Sequence, residues 1–226
     1  MLILFVHGAL VRDADWWWHR MPAPLARYGF RTAAVELPSC VGPGDLAADA
    51  VAVRAAVDAA DEPVALVGHS YGGTVITEAG AGAAHLVYVT SVLADAGRSH
   101  ADSGSGRPAP WVRLDPDGTL ELVGDDIREL FFADCDDATY EAALTRRARQ
   151  DATALTGAVT TPAWRAVPST YVVCAQDRAV PAADQRAAAA NAGRVLEVPA
   201  GHHPFLAYPE LFAETLRTAL DQGNAE

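Results

Sequence analysis

The stretch Val64-Ala65-Leu66-Val67-Gly68-His69-Ser70-Tyr71-Gly72-Gly73 constrains this chain more than any other. Four apolar residues run into Gly-x-Ser-x-Gly, and a helical pattern over residues 72–80 follows with almost no loop between. A strand that turns directly into a helix around a serine lifts the hydroxyl above the sheet edge. The turn must be strained and very tight to do so. Side chains two positions before and after the serine would collide, which accounts for Gly68 and Gly72. The helix that begins there points backbone N–H groups at any negative charge developing beside the serine.

The rest of the chain supplies a matching frame. Apolar runs at 2–6, 32–37, 64–67, 86–90, 170–174 and 195–198 read as strands, most of them continuously apolar. That pattern is expected where both faces of a sheet are covered. Helical patterns at 45–60, 72–80, 182–190 and 209–221 fill the gaps. Alternation of strand and helix implies right-handed crossovers and a mostly parallel, about six-stranded sheet with helices on both faces. The 226 residues suit a single α/β domain, and 50% hydrophobic content is enough to build its core. Residues 95–167 break the rhythm. They begin polar and glycine-rich (Gly97, Gly104, Gly106, Pro108, Pro110), pass a turn at Asp115-Pro116-Asp117-Gly118, and carry helical stretches at about 125–133 and 137–148. Lying between two core strands, they read as a small helical cap inserted over one sheet edge.

A serine hydroxyl is a weak nucleophile at neutral pH and needs a base and an orienting acid. The strand at 170–174 delivers Asp177 just beyond its C-terminal end, and the strand at 195–198 leads through Pro199-Ala200-Gly201 to His202. In a parallel sheet both emerge on the edge that carries Ser70. Ser, Asp, His is also the chain order expected for such a constellation. His202 is preferred to His203 because Gly201 lets its loop turn towards the sheet edge, whereas His203 precedes Pro204 at a helix entry. Asp177 is preferred to Asp184, which lies inside the following helical stretch. His7-Gly8-Ala9 leaves the first strand as the serine turn leaves the third, so the backbone N–H groups of Ala9 and Tyr71 are the expected oxyanion donors.

With these residues in view, the chain resembles the α/β-hydrolase superfamily, in particular its compact branch of small bacterial esterases and plant esterase- and hydroxynitrile lyase-like proteins. The resemblance rests on Phe5-Val6-His7-Gly8-Ala9, Gly68-His69-Ser70-Tyr71-Gly72-Gly73, Asp177-Arg178-Ala179-Val180-Pro181 and Gly201-His202-His203-Pro204-Phe205-Leu206, and spans nearly everything but the insertion. It implies acyl transfer with catalytic Ser70, Asp177 and His202 and with no cofactor. Members of the family usually have two further N-terminal strands, so this chain resembles a trimmed version. Hydroxynitrile lyases of this type carry a lysine after the catalytic histidine. Here that position is His203, and all 17 basic side chains are Arg, which points to ester hydrolysis. Dehalogenases and epoxide hydrolases of the fold use an Asp where Ser70 stands. The alternatives are a biosynthetic lyase or cyclase reusing the same three residues, and a non-catalytic ligand receptor of the same fold.

The expected substrate is a small ester-like molecule. Trp16-Trp17-Trp18 follows the Ala9 loop; at least one should pack in the core and Trp17 could line the entrance, with Trp111, Phe131 and Trp164 as further candidate walls. A net charge of −12 disfavours nucleic acid and anionic membranes as partners. Asp134, Asp136, Asp137, Arg146, Arg147 and Arg149 read as a solvated helical surface, and Asp134-Cys135-Asp136-Asp137 lacks calcium-loop spacing, so no metal site is expected. Cys40, Cys135 and Cys174 fit no zinc motif and read as free thiols in a reducing compartment, with Cys174 packed in a strand. No apolar run is long enough to span a bilayer, and residues 1–6 read as a core strand rather than a signal peptide. The expectation is a cytoplasmic monomer or homodimer.

Overall fold

Strands that are apolar on both faces must be covered on both faces, and the chain does this by returning to the same sheet through a helix after almost every strand. In the computed structural model, which describes residues 1–102 and 109–221, the order runs as follows. The first half contains β1 (Leu2–Val6), α1 (Ala14–Trp18), α2 (Pro22–Ala26), β2 (Arg31–Val35), α3 (Pro38–Val41), α4 (Leu46–Asp58), β3 (Val64–His69), α5 (Tyr71–Ala79) and β4 (His85–Val89). Between β4 and the next core strand lie β5 (Val112–Leu114), β6 (Thr119–Leu122), α6 (Ile127–Phe131), α7 (Asp137–Leu144), β7 (Gln150–Asp151) and α8 (Ala152–Thr156). The chain closes with β8 (Ser169–Cys174), α9 (Ala182–Ala188), β9 (Arg194–Val198), α10 (Pro204–Ala207) and α11 (Pro209–Leu220).

The six core strands are parallel in the order β2-β1-β3-β4-β8-β9. Side-chain alternation divides the interior in two. Ile3, Phe5, Val67, Val87 and Val172 face one layer with Trp17, Trp18, Phe205 and Phe212. Leu4, Val6, Leu66, Tyr88 and Val173 face the other with Val53, Val75 and Ile76 of α4 and α5. Each fully buried Val, Leu, Ile or Phe contributes roughly 1.5–3 kcal/mol relative to exposure, so these two layers hold the sheet edge rigid beneath the site. Asp45 caps α4 by accepting from the Ala48 amide at 2.9 Å, which sets where that helix starts. Among the described residues no helix is long and apolar enough to cross a membrane.

The insertion holds its helices where expected, shorter than their sequence patterns, and adds a three-stranded antiparallel sheet in the order β5-β6-β7. The turn at 115–118 joins β5 to β6, with Gly118 at φ 85°. Gly104, Gly106 and Pro108 lie outside the described residues.

Candidate active site

The carboxyl ends of the parallel strands converge on one edge, and the sequence-predicted residues follow directly from them. His7-Gly8-Ala9 follows β1, Ser70 follows β3, Thr90 follows β4, Asp177 lies three residues beyond β8 and His202 four beyond β9. Ser70 has φ 51° and ψ −121°, a backbone conformation that non-glycine residues rarely adopt. Neighbours hold the strain in place. The Ser70 amide donates to the Val89 carbonyl at 3.0 Å, and the Ser91 hydroxyl donates to the Ser70 carbonyl at 2.5 Å. A Cβ on Gly68 would stand 2.6 Å from the Gly72 carbonyl oxygen, and one on Gly72 would stand 2.5 Å from that of His7. Both glycines are therefore required by close approach, as the motif predicted.

His202 and Asp177 are buried and paired, with His202 Nδ1 donating to Asp177 Oδ2 at 2.8 Å. Asp184 makes no such bond, and His203 instead donates from Nδ1 to the Phe131 carbonyl at 2.8 Å. The Thr90 hydroxyl donates to Asp177 Oδ2 at 2.5 Å, while the amides of Ala179 and Val180 donate to Oδ1 at 2.8 and 3.0 Å. Burial alone would push the Asp177 carboxyl up. The charge and hydrogen bond of His202, with the Thr90 and Val180 bonds, outweigh it and hold the group below the usual carboxylate range. Burial, aided by the His202 and His203 rings, lowers His69 well below an ordinary imidazole, and burial with the His202 ring takes His203 down to about 3.

These groups open onto a cavity of about 1150 Å³, whose wall includes Ala9, Ser70, His202, Trp17, Trp111 and Phe131. Trp18 packs in the core, stacked on Phe5 at 4.2 Å. Trp164, expected as a wall, is not among the described residues that line the cavity. Its indole donates to the Ala94 carbonyl at 3.0 Å and its ring packs against the core layer behind the insertion. Tyr71 opens α5, so its amide has no partner within the helix.

Several contributors carry no local sequence signal. Glu36 places Oε1 3.1 Å from His7 Nε2 and accepts the Asp13 and Ala14 amides on Oε2 at 2.8 and 2.9 Å. The turn into α1 is thereby tied to the Ala9 loop. Gln150 of β7 accepts the Leu10 amide at 2.9 Å and donates to Ser39 Oγ at 2.8 Å. Ser39 and Tyr71 both donate to Asp49, which is wholly buried. Of the residues read as solvated surface, Arg147 is exposed and Asp134 half-buried, and both also reach the candidate site. Asp134 accepts the Gly201 amide at 2.6 Å, immediately before His202, and Arg147 lines the cavity. Neither contact is visible in a charge pattern, because both depend on the insertion folding back over the sheet edge.

The match to a family model agrees with this geometry: the "Alpha/beta hydrolase family" model covers residues 3–215. The chain belongs to the alpha/beta hydrolase family. The alpha/beta hydrolase nvfD of Aspergillus novofumigatus is 26% identical over 240 residues, covering 96% of this chain and 95% of that protein. Among solved structures, a pyrethroid hydrolase from Sphingobium faniae superposes with a TM-score of 0.82 at 22% identity, covering 96% of each chain. Polyneuridine aldehyde esterase superposes with a TM-score of 0.82 at 19% identity, covering 96% of this chain and 98% of that one. At these identities the two structures establish a shared fold.

Proposed function

We propose that the chain is a serine hydrolase that cleaves a small carboxylic ester, lactone or thioester through an acyl-enzyme on Ser70. The observation that carries this reading is the buried His202–Asp177 pair, at 2.8 Å, opening onto the cavity that Ser70 also lines. Ser70 Oγ attacks the carbonyl carbon while His202 Nε2 takes its proton. Asp177, fixed by Thr90 and two amides, stabilises the imidazolium that forms. The Ala9 and Tyr71 amides receive the oxyanion, each donor of this kind contributing about 2.7–4 kcal/mol to the transition state. His202 then protonates the leaving alcohol or thiol, and a water deprotonated by His202 releases the acid and restores Ser70.

Aromatic walls at Trp17, Trp111 and Phe131 suit an apolar acyl or alcohol group. The family and the activities in the names of structurally similar proteins, a pyrethroid hydrolase and polyneuridine aldehyde esterase, support the same chemistry. Hydrolysis of p-nitrophenyl esters from acetate to octanoate tests it. Wild type should turn over at least one member, and Ser70→Ala should fall by up to about 10⁶ in kcat. A folded wild type inactive on the whole series, or a fully active Ser70→Ala, refutes the reading.

A further inference from the structure

Two imidazoles beside the His202–Asp177 pair have no part in acyl transfer. One ring nitrogen from each of His69, His202 and His203 lies within 4.8 Å of the other two, and all three side chains are buried. In each ring one nitrogen is committed to an oxygen acceptor. His202 Nδ1 bonds Asp177 Oδ2 at 2.8 Å, His203 Nδ1 bonds the Phe131 carbonyl at 2.8 Å, and His69 Nε2 bonds the His202 carbonyl at 2.9 Å. An oxygen acceptor requires the proton on the nitrogen facing it. The lone pairs are therefore left on His202 Nε2, His203 Nε2 and His69 Nδ1. Histidines that ligate metals are oriented in this way, with the outer N–H given to a carboxylate or a backbone carbonyl.

We propose that His69, His202 and His203 form a three-imidazole site for a divalent transition ion such as zinc, and that occupying it switches hydrolysis off by capturing the lone pair of His202 Nε2. An all-nitrogen set suits zinc, copper or nickel and disfavours magnesium and calcium, which take oxygen ligands. Zn–N bonds of about 2.0–2.1 Å in a tetrahedron put the nitrogens about 3.4 Å apart. From a spacing of up to 4.8 Å the rings close by at most about 1.4 Å to bind. Asp177 behind His202 completes a carboxylate–histidine–metal relay and offsets part of the ion's charge. Three protein ligands leave a fourth position for water or Ser70 Oγ. The binding stands independently of Ser70 as nucleophile; the inhibition rests on that reading.

Calorimetric titration of the wild-type protein with zinc chloride should show one ion per chain. His203→Phe and His69→Phe keep a ring in place but lose a ligand. Each should weaken zinc binding at least about tenfold, since even outer partners of such ligands contribute 10–100-fold. If either variant fails to fold, spectra of wild type labelled with ¹⁵N-histidine decide the matter, because zinc should shift the ring nitrogens of three of the seven histidines. Ester hydrolysis should fall with site occupancy and return on adding EDTA. No zinc binding by wild type, equal affinity in folded variants, or ring shifts on other histidines overturns the site. Zinc binding as described in a protein that hydrolyses no ester removes the proposed function and the inhibition but leaves the site standing. Active enzyme that binds zinc at these rings without inhibition overturns the switch alone.

Discussion

Replacing Tyr71 by Phe deletes one hydroxyl and isolates the contribution of the polar knot beneath the serine turn. Tyr71 is wholly buried and donates to Asp49 Oδ2 at 2.7 Å. Burial, with the charge of Asp49, pushes its phenol above the ordinary tyrosine range, so the hydroxyl remains a donor. Asp49 also accepts the Ser39 amide at 3.0 Å and the Ser39 hydroxyl at 2.6 Å. All three partners donate, so the carboxyl is held as an acceptor only. A hydrogen bond to a charged group contributes about 1.5–3 kcal/mol, and the phenyl ring refills the space, so Tyr71→Phe should cost about 2 kcal/mol. For a chain of this size that lowers Tm by about 4–8 °C. In urea the midpoint falls while the slope stays constant. The Tyr71 amide is backbone, and Ser70 keeps its own bonds to Val89 and Ser91, so kcat/KM on the best p-nitrophenyl ester should stay within about threefold, under 1 kcal/mol of barrier. Asp49→Ala is the companion experiment. It leaves three buried donors without an acceptor at about 1–3 kcal/mol each, a large share of the roughly 5–15 kcal/mol that holds a domain together. A loss below about 0.5 kcal/mol for Tyr71→Phe, or an Asp49→Ala protein no less stable than Tyr71→Phe, would refute the knot as a support.

Three further outcomes follow from the same structure. Thr90→Val removes a donor to Asp177, whose folded-state pKa is depressed, so the stability this group provides is present above the unfolded value near 3.9 and is lost as pH falls through the lower folded value. Urea unfolding should therefore show a deficit of about 1.5–3 kcal/mol at neutral pH that narrows below about pH 4; a deficit that does not change with pH contradicts the assignment. Asp134→Ala frees the Gly201 amide beside His202 and should lower kcat more than it raises KM, whereas Asp134→Asn keeps an acceptor and should recover most of the loss, as steady-state kinetics on both variants will show. Burial pushes the Cys40 and Cys135 thiols up to about 12, and Cys174 is raised as well, so a disulfide-exchange reagent should label none of the three in the native chain and all three in denaturant.

What was legible in the sequence and what was not divides along a physical line. The inner core strands announce themselves because they are buried on both faces, and Val64-Ala65-Leu66-Val67 or Tyr171-Val172-Val173-Cys174 therefore shows an unbroken apolar run, while the edge strands β2 and β9 are partly exposed. The serine turn is legible because steric crowding admits only glycine at 68 and 72. Asp177 and His202 could be placed because parallel strands deliver their loops to one edge. The cap sheet was missed for the opposite reason: β5 and β6 lack a buried residue and β7 is only two residues long, so no periodicity betrays them beyond the turn at 115–118. Glu36, Asp49, Asp134 and Gln150 were missed because a polar residue leaves no periodic trace when its partner is far away in sequence. Gln150 reaches Leu10 across 140 positions and Asp134 reaches Gly201 across 67. These long-range polar contacts join the insertion to the two loops that matter most, one carrying Ala9 and the other His202. The insertion is thus more than a lid over the cavity: on this geometry it sets the position of the Ala9 loop and of His202, the proposed oxyanion donor and base, so substitutions in it should alter the rate of the chemical step as well as the choice of substrate.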